Sequence, residues 1–137
     1  MRSTRVALLA TAAVLVAGAS VGYGASRNDT TRVGASAYKL KEMAVIGPRT
    51  VASGRVTLTA KNLGTVEHEL VVFKGAGPLT VKNFKAVEAG RALGEIPETA
   101  PGKTGSVTLT LKSGKYLLAC NIVGHYQLGM TSTLSVK

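Results

Sequence analysis

The segment "SVTLTLKSGKYLLAC" (residues 106–120) decides the fold class of this chain of 137 residues. Its first six residues alternate between polar and apolar side chains, "KSGK" follows as a turn, and a second apolar run ends at the cysteine. Side chains two positions apart lie on the same face of a β-strand. The segment therefore predicts two consecutive strands, each with an apolar face for burial.

Runs of the same kind lie on both sides of this segment, and turn residues, chiefly glycine, proline and asparagine, separate them. Threonine and valine, which favour strands, recur in most of these runs. The pattern predicts an all-β domain, a Greek-key β-sandwich or barrel. The other predicted strands cover residues 38–46, 55–60, 66–73 and 131–136.

One long connection, residues 74–102, is rich in glycine and proline and interrupts the series of strands. A Greek-key topology needs such a crossing between sheets. Val81, Phe84 and Val87 recur at every third position within it, a spacing compatible with one short helix.

The N-terminal residues 1–25 have the three parts of a secretory signal peptide, namely a basic start, an apolar run and a series of small residues. An uncleaved membrane anchor is the alternative, because the 21 uncharged residues 6–26 approach the length that spans a bilayer. Residues 26–37 are small and polar and are predicted to form a flexible lead-in. The functional domain is then residues 38–137, and we expect it to work outside the cytoplasm, in the periplasm, on the cell surface or secreted.

The charge of the chain indicates a class of partner. Seventeen basic and seven acidic residues give a net charge of +10. The basic residues are scattered, with no run of five or more and no basic helix, which argues against nucleic-acid binding. Such a surface suits acidic protein partners or an anionic cell envelope, and we expect the chain to act as a monomer.

Near the C-terminus, "CNIVGHYQLGM" (residues 120–130) places a cysteine, a histidine and a methionine five residues apart. Cys120 is the only cysteine, so it cannot form an internal disulfide and is reactive, buried or a ligand. A glycine directly precedes His125 and another precedes Met130, which permits the tight backbone path that one loop needs to deliver three ligands.

A second histidine is predicted to join this group from another strand. In residues 66–73, His68 lies on the apolar face, whereas Glu67 and Glu69 point to the other side, towards solvent. Cys120 likewise lies on the apolar face of its own strand. A plain β-sandwich would place valine at both positions.

The combination of these residues indicates a metal site. Taken singly, a buried cysteine or methionine is more often core packing than a ligand. Taken together, a thiolate, two imidazoles and a thioether suit copper above other metals, and two histidines, one cysteine and a distant methionine describe a blue-copper site. Zinc accepts the same types of ligand. The candidate metal ligands are His68, Cys120, His125 and Met130.

The same stretches carry a resemblance to a known family. "CNIVGHYQLGM" resembles the ligand loop of the cupredoxins, and its spacing is most similar to the rusticyanin and sulfocyanin branch. "NLGTVEHELVVFK" is similar to the segment that supplies the first histidine of these proteins. The resemblance implies a Greek-key β-sandwich that holds one type 1 copper, with equatorial His68, Cys120 and His125 and axial Met130. Glu69 departs from the family pattern, because many cupredoxins have asparagine there to tie the ligand loops together.

The function that this resemblance implies is the transfer of single electrons between redox partners by Cu(II)/Cu(I) cycling. The alternative is a copper carrier or storage module outside the cytoplasm, which would use the same four ligands. We do not expect an enzyme, because a catalytic copper needs further histidines, and both histidines of this chain are already assigned as ligands. Tyr126 and Leu128, beside His125, are the expected apolar surface through which electrons pass.

Overall fold

The computed structural model describes residues 33–86 and 90–137. Within these ranges the chain forms eleven β-strands and no helix. Their bounds are β1 Gly34–Lys41, β2 Ala44–Ile46, β3 Thr50–Val51, β4 Gly54–Asn62, β5 His68–Lys74, β6 Val81–Lys82, β7 Lys85–Ala86, β8 Ala92–Thr99, β9 Thr104–Leu111, β10 Gly114–Ala119 and β11 Thr131–Val136.

The strands form two main sheets that pack as a β-sandwich, as the sequence predicts. One sheet has the order β2-β1-β4-β9, in which β1 runs parallel to β4. The other has the order β3-β11-β10-β5-β8, in which β3 runs parallel to β11. The segment that decides the fold class crosses between the two sheets, because β9 pairs with β4 and β10 pairs with β5 and β11.

The core lies between the sheets and is made of apolar side chains from both. In β4 the buried positions alternate, as period-two patterning requires. In β10, by contrast, the last four residues are all buried. The reason is a second, smaller apolar cluster on the outer face of this sheet, built from Val71, Phe73, Leu79, Ala86, Leu117 and Ala119.

The connection over residues 74–102 differs from the prediction. Its described part contains no helix; instead β6 and β7 form a small antiparallel hairpin, and β8 pairs with β5. Asn83 and Phe84 occupy the turn with positive φ angles of 50° and 61°, which ends any helical path there. Phe84 is 63% exposed, so the three-residue spacing did not mark a buried face. Val87, the third residue of that pattern, lies outside the described residues.

The N-terminal boundary of the domain lies earlier than the sequence indicates. β1 begins at Gly34, so residues 34–37 of the predicted lead-in belong to a strand that pairs with β4. Ser36 is buried in it. The predicted signal peptide, residues 1–25, and residues 26–32 lie outside the described residues. Within the part of the chain that the structure describes, we find no helix with the length and hydropathy of a membrane span.

Candidate metal centre

The predicted ligands come from three segments of the chain that meet at one end of the sandwich. His68 is the first residue of β5. Cys120 directly follows β10, the neighbouring strand, and begins a turn-rich loop that includes His125. Met130 is the last residue of that loop, immediately before β11. The two strands therefore fix His68 and Cys120, and the loop brings the other two residues back towards them.

The structure brings three of these side chains into one cluster. One potential ligand atom from each of His68, Cys120 and His125 lies within 4.8 Å of the others. The Sγ atom of Cys120 is 3.3 Å from Nδ1 of His125. The two imidazole rings have centroids 5.2 Å apart and meet edge to face at 61°. The expected convergence of one sulfur and two imidazoles is thus present.

Met130 lies beside this cluster and belongs to the core. Its side chain is fully buried and packs in the same apolar cluster as Cys120. Its backbone carbonyl accepts a hydrogen bond from Cys120 N at 3.0 Å, and its own N–H donates to His125 O at 3.1 Å. These two bonds close the loop at its base and hold Met130 next to both residues.

Hydrogen bonds inside the loop explain the glycines of "CNIVGHYQLGM". Leu128 N donates to Gly124 O at 3.1 Å, and Gly129 N donates to Tyr126 O at 3.0 Å. Gly124 and Gly129 have φ angles of 82° and 95°, which residues with a side chain rarely adopt. The loop therefore turns twice within a few residues, and each turn orients the ligand candidate that follows it.

The donor atoms meet the requirements of a metal ion. Both ring nitrogens of His68 are buried without a hydrogen-bond partner in the described residues. Buried polar atoms in folded proteins nearly always have a partner, so this pair calls for an explanation. A thiol and a second imidazole lie within reach, and this combination of donors suits copper. The residues present therefore fit a copper ion.

The protonation states are set mainly by burial. Burial, and then the nearby His125, lower the pKa of His68, which favours the neutral imidazole that metals bind. Burial raises the pKa of the Cys120 thiol above its ordinary value. Metal binding must therefore release the thiol proton, because thiolate is the ligand form.

The loop that leads to His68 is held in place by Asn62, a residue that the sequence patterns did not mark as important. Asn62 is fully buried, and its side-chain Nδ2 donates to Val66 O and Thr99 O, both at 2.7 Å. Its Oδ1 accepts from Gly64 N at 2.8 Å. These bonds shape residues 63–67, the loop that leads into β5. The Asn-x-Gly motif that begins at Asn62 is the sequence feature that could have indicated this turn.

The structure shows what Glu69 contacts at the position where many cupredoxins have asparagine. Glu69 is half-buried; burial is the main cause that raises the pKa of its carboxyl, and an interaction with the Asn121 backbone opposes the rise. Its own backbone N–H donates to the sulfur of Cys120 at 3.5 Å. The prediction that Glu69 simply faces solvent is therefore wrong, since it ties β5 to the ligand loop, whereas Glu67 is exposed as expected.

The apolar surface beside His125 includes Leu128, as predicted, but not Tyr126. Leu128 is 67% exposed, but Tyr126 packs against the outer cluster and its hydroxyl accepts from Leu79 N at 2.9 Å. Phe84 joins the surface instead, since Gly124 N donates to Phe84 O at 2.8 Å and holds the β6–β7 hairpin on the loop. Val123 is the third exposed apolar side chain there.

Comparisons with known proteins agree with this picture. A family model described as copper-binding proteins of the plastocyanin/azurin family matches residues 33–137. Auracyanin of Roseiflexus castenholzii is 22% identical over 77% of this chain and 96% of its own, with a TM-score of 0.58. Auracyanin A of Chloroflexus aurantiacus, a "blue" copper protein, is 24% identical over 76% of this chain and 100% of its own, with a TM-score of 0.57.

Rusticyanin of Thiobacillus ferrooxidans has a TM-score of 0.59 at 16% identity, over 77% of each chain. At these identities the structural likeness establishes the shared fold. No curated protein sequence matches the chain.

Proposed function

Because the chain belongs to the plastocyanin/azurin family of copper-binding proteins, the cupredoxins, we propose that it carries single electrons between redox partners outside the cytoplasm. Copper is its cofactor, and His68, Cys120, His125 and Met130 are the proposed ligands. When bound, the metal supplies one-electron chemistry by alternating between Cu(II) and Cu(I). The observation that carries the proposal is the buried group of His68, Cys120 and His125, whose ligand atoms lie within 4.8 Å of one another.

The protein's own contribution is to hold its donor atoms in place. His68 is fixed by the backbone of β5, and Cys120 by hydrogen bonds from its N–H to Met130 O and from Glu69 N to its sulfur. Burial of His68, Cys120 and Met130 keeps water away from three of the four ligands. A site that is already assembled changes little when its charge changes by one, which suits rapid electron exchange.

His125 is the proposed exit for electrons. It is only partly buried, unlike the other three ligands, and it lies on the loop that carries the exposed Val123 and Leu128. Phe84 extends this apolar surface from the neighbouring hairpin. Contact with a partner at this surface would bring the two redox centres together through a single imidazole.

The flanking charges favour an acidic partner. Lys82 and Lys85 flank the turn that presents Phe84, and the whole chain carries a net charge of +10. Complementary charge raises the association rate of proteins more than their affinity, so we expect the electron-transfer rate to fall as salt is added.

Export is supported by residues 1–25, whose basic, apolar and small-residue parts follow the pattern of a signal peptide. Mass spectrometry of the protein from an expressing cell would show whether the chain begins after this segment. An intact N-terminus in a membrane fraction would instead identify the segment as an anchor.

The decisive experiment uses light absorption. Purified protein given Cu(II) should become intensely blue or green, because thiolate-to-copper charge transfer absorbs strongly, and ascorbate should bleach the colour reversibly. A Cys120→Ser variant should remain folded and pale. A colourless wild-type protein contradicts the copper site. Loss of copper to a chelator within a few redox cycles would contradict electron transfer and favour the carrier function.

A further inference from the structure

Glu42 lies in the turn between β1 and β2 and is bound to the loop that precedes His68. Its Oε1 accepts hydrogen bonds from the backbone N–H of Thr65, from the Thr65 hydroxyl at 3.1 Å and from Val66 N at 3.2 Å. Three donors on one carboxylate oxygen fix the position of the charge firmly. A glutamate in an exposed turn is thus held against residues more than twenty positions away.

The same oxygen faces the buried imidazole. Oε1 of Glu42 lies 3.6 Å from Nε2 of His68. This distance is longer than a hydrogen bond, so the contact is electrostatic. Gly64 makes the approach possible, since a Cβ on it would lie 2.5 Å from Oε1 of Glu42 and 2.8 Å from Nε2 of His68. Glu42, Gly64 and His68 are thus packed so that one carboxylate oxygen lies close to one particular ring nitrogen.

From this contact we propose that Glu42 is a positioning residue, whose carboxylate keeps the proton of neutral His68 on Nε2 and leaves Nδ1 as the free electron-pair donor. A neutral imidazole has one N–H and one bare nitrogen, and an ionised carboxylate can accept a hydrogen bond but cannot donate one. The N–H is therefore more stable on the nitrogen that faces Glu42. The other nitrogen, Nδ1, is buried without a partner and is left for the metal.

The chemical role of such a contact follows from general principles. A carboxylate that faces the N–H of a ligating histidine fixes the tautomer and the ring orientation, and it makes the other nitrogen a better donor. A negative charge there also favours the more highly charged state of a bound ion. The metal-dependent part of the inference rests on the proposed function, whereas the position of the proton on His68 does not.

The first test measures the tautomer in the metal-free protein. Two-dimensional ¹H–¹⁵N spectra of the His68 ring, recorded at about pH 8, well above the ordinary histidine pKa, distinguish the two tautomers directly. We expect a bare Nδ1 and a protonated Nε2 in the wild type. In Glu42→Gln an amide oxygen still accepts from the loop, but the charge is gone, and the tautomer ratio should fall by about fivefold.

Glu67→Gln is the matched control. It removes the same charge one position before His68, from a side chain that is exposed to solvent, and it should leave the tautomer ratio unchanged. Backbone amide shifts of Thr65 and Val66 report whether the loop remains intact in each variant. A wild-type protein with the proton on Nδ1, or equal ratios in Glu42→Gln and Glu67→Gln, would overturn the proposal.

The second test measures the reduction potential of the copper-loaded protein. Glu42→Gln should raise the affinity for Cu(I) relative to Cu(II) by about three- to tenfold, which is about 30–60 mV for a one-electron couple. Glu67→Gln should shift the potential much less, because solvent screens its charge. If the wild type gives no blue colour but shows the Nε2–H tautomer, the electron-transfer function fails and the role of Glu42 in orienting His68 stands.

Discussion

The backbone N–H of Glu69 points at the sulfur of Cys120, with 3.5 Å between the nitrogen and Sγ, although 51 positions separate the two residues. The half-buried side chain of Glu69 also interacts with the backbone of Asn121. One residue of β5 thus holds the strand that carries His68 against the start of the loop that carries Cys120. The relative position of the two candidate ligands is set by the fold before any metal arrives.

This double contact predicts the effect of truncating Glu69. Glu69→Ala keeps the backbone N–H but removes a half-buried side chain that interacts with the backbone of Asn121, and the free energy of unfolding should fall by about 1–2 kcal/mol. Glu69→Gln retains an acceptor and should lose less. Urea unfolding of the metal-free protein measures both. Glu67→Ala, at an exposed neighbour, should change stability by less than about 0.5 kcal/mol, and an equal loss in Glu67→Ala and Glu69→Ala would contradict the tether.

Alternation with turn residues predicted the fold class, and strand parity placed His68 and Cys120 on apolar faces, but the convergence at the site came from the residue types of the ligand loop and the resemblance to the cupredoxins. His68 and Cys120 both lie on apolar faces, and the strands that carry them, β5 and β10, are neighbours in one sheet. Parity could not predict the role of Glu69, because an outward side chain of β5 is covered only if another segment folds over it. The β6–β7 hairpin was missed for a related reason. Its turn depends on contacts with the ligand loop, and the spacing of residues within the hairpin cannot predict contacts with a distant segment.

The packing around Gly64 predicts a selective loss of metal affinity. In Gly64→Ala the new Cβ would overlap the carboxylate of Glu42 and the ring of His68. The carboxylate can move, but only by giving up its bonds to the loop, and the buried ring has no room. We expect copper or zinc affinity to fall by about ten- to a hundredfold, as for other groups that support a ligand.

Gly77→Ala is the matched control for this substitution. A Cβ at Gly77 would meet no atom within 4 Å, and its φ angle is not in the left-handed region. Metal titration of both variants should therefore show a loss only in Gly64→Ala. Equal affinities would mean that the narrow gap beside His68 has no influence on the site.

Tyr38 predicts the behaviour of the domain in alkali. Its hydroxyl donates to Pro48 O at 3.0 Å, and burial raises its pKa to about 12. The folded state therefore holds this proton more tightly than the unfolded chain, whose tyrosine pKa is about 10. The stabilisation is fully present below about pH 10 and is lost as the pH rises towards 12.

The matching measurement is the free energy of unfolding against pH. Between about pH 10 and pH 12 the wild type should lose stability faster than Tyr38→Phe, by up to about 1.4 kcal/mol per pH unit for one proton. The comparison cancels the titration of the other tyrosines, which both proteins share. Parallel curves would show that Tyr38 ionises as easily in the folded domain as in the unfolded chain.

The exposed surface beside His125 predicts how fast two copies of the protein exchange electrons. Leu128→Glu places a charge on that surface, and the cost of burying it should slow self-exchange by about tenfold or more. Line broadening in mixtures of oxidised and reduced protein gives the rate. Leu93→Glu is the control, because Leu93 borders a cavity with Gly114, the first residue of β10 at the opposite end of that strand from Cys120. Equal rates in the two variants would place the contact elsewhere.

Met130 has two proposed roles, as core packing and as a copper ligand, and Met130→Leu separates them. Leucine has a similar volume and no sulfur, so the metal-free protein should lose less than about 1.5 kcal/mol of stability. In the copper-loaded protein an apolar side chain replaces a weak donor, which disfavours the more highly charged ion, and the reduction potential should rise while the absorption bands shift. Met43→Leu is the control, because Met43 packs against the same core cluster without being a candidate ligand. If both variants keep the wild-type spectrum and potential, Met130 serves the core alone and the copper is held by His68, Cys120 and His125.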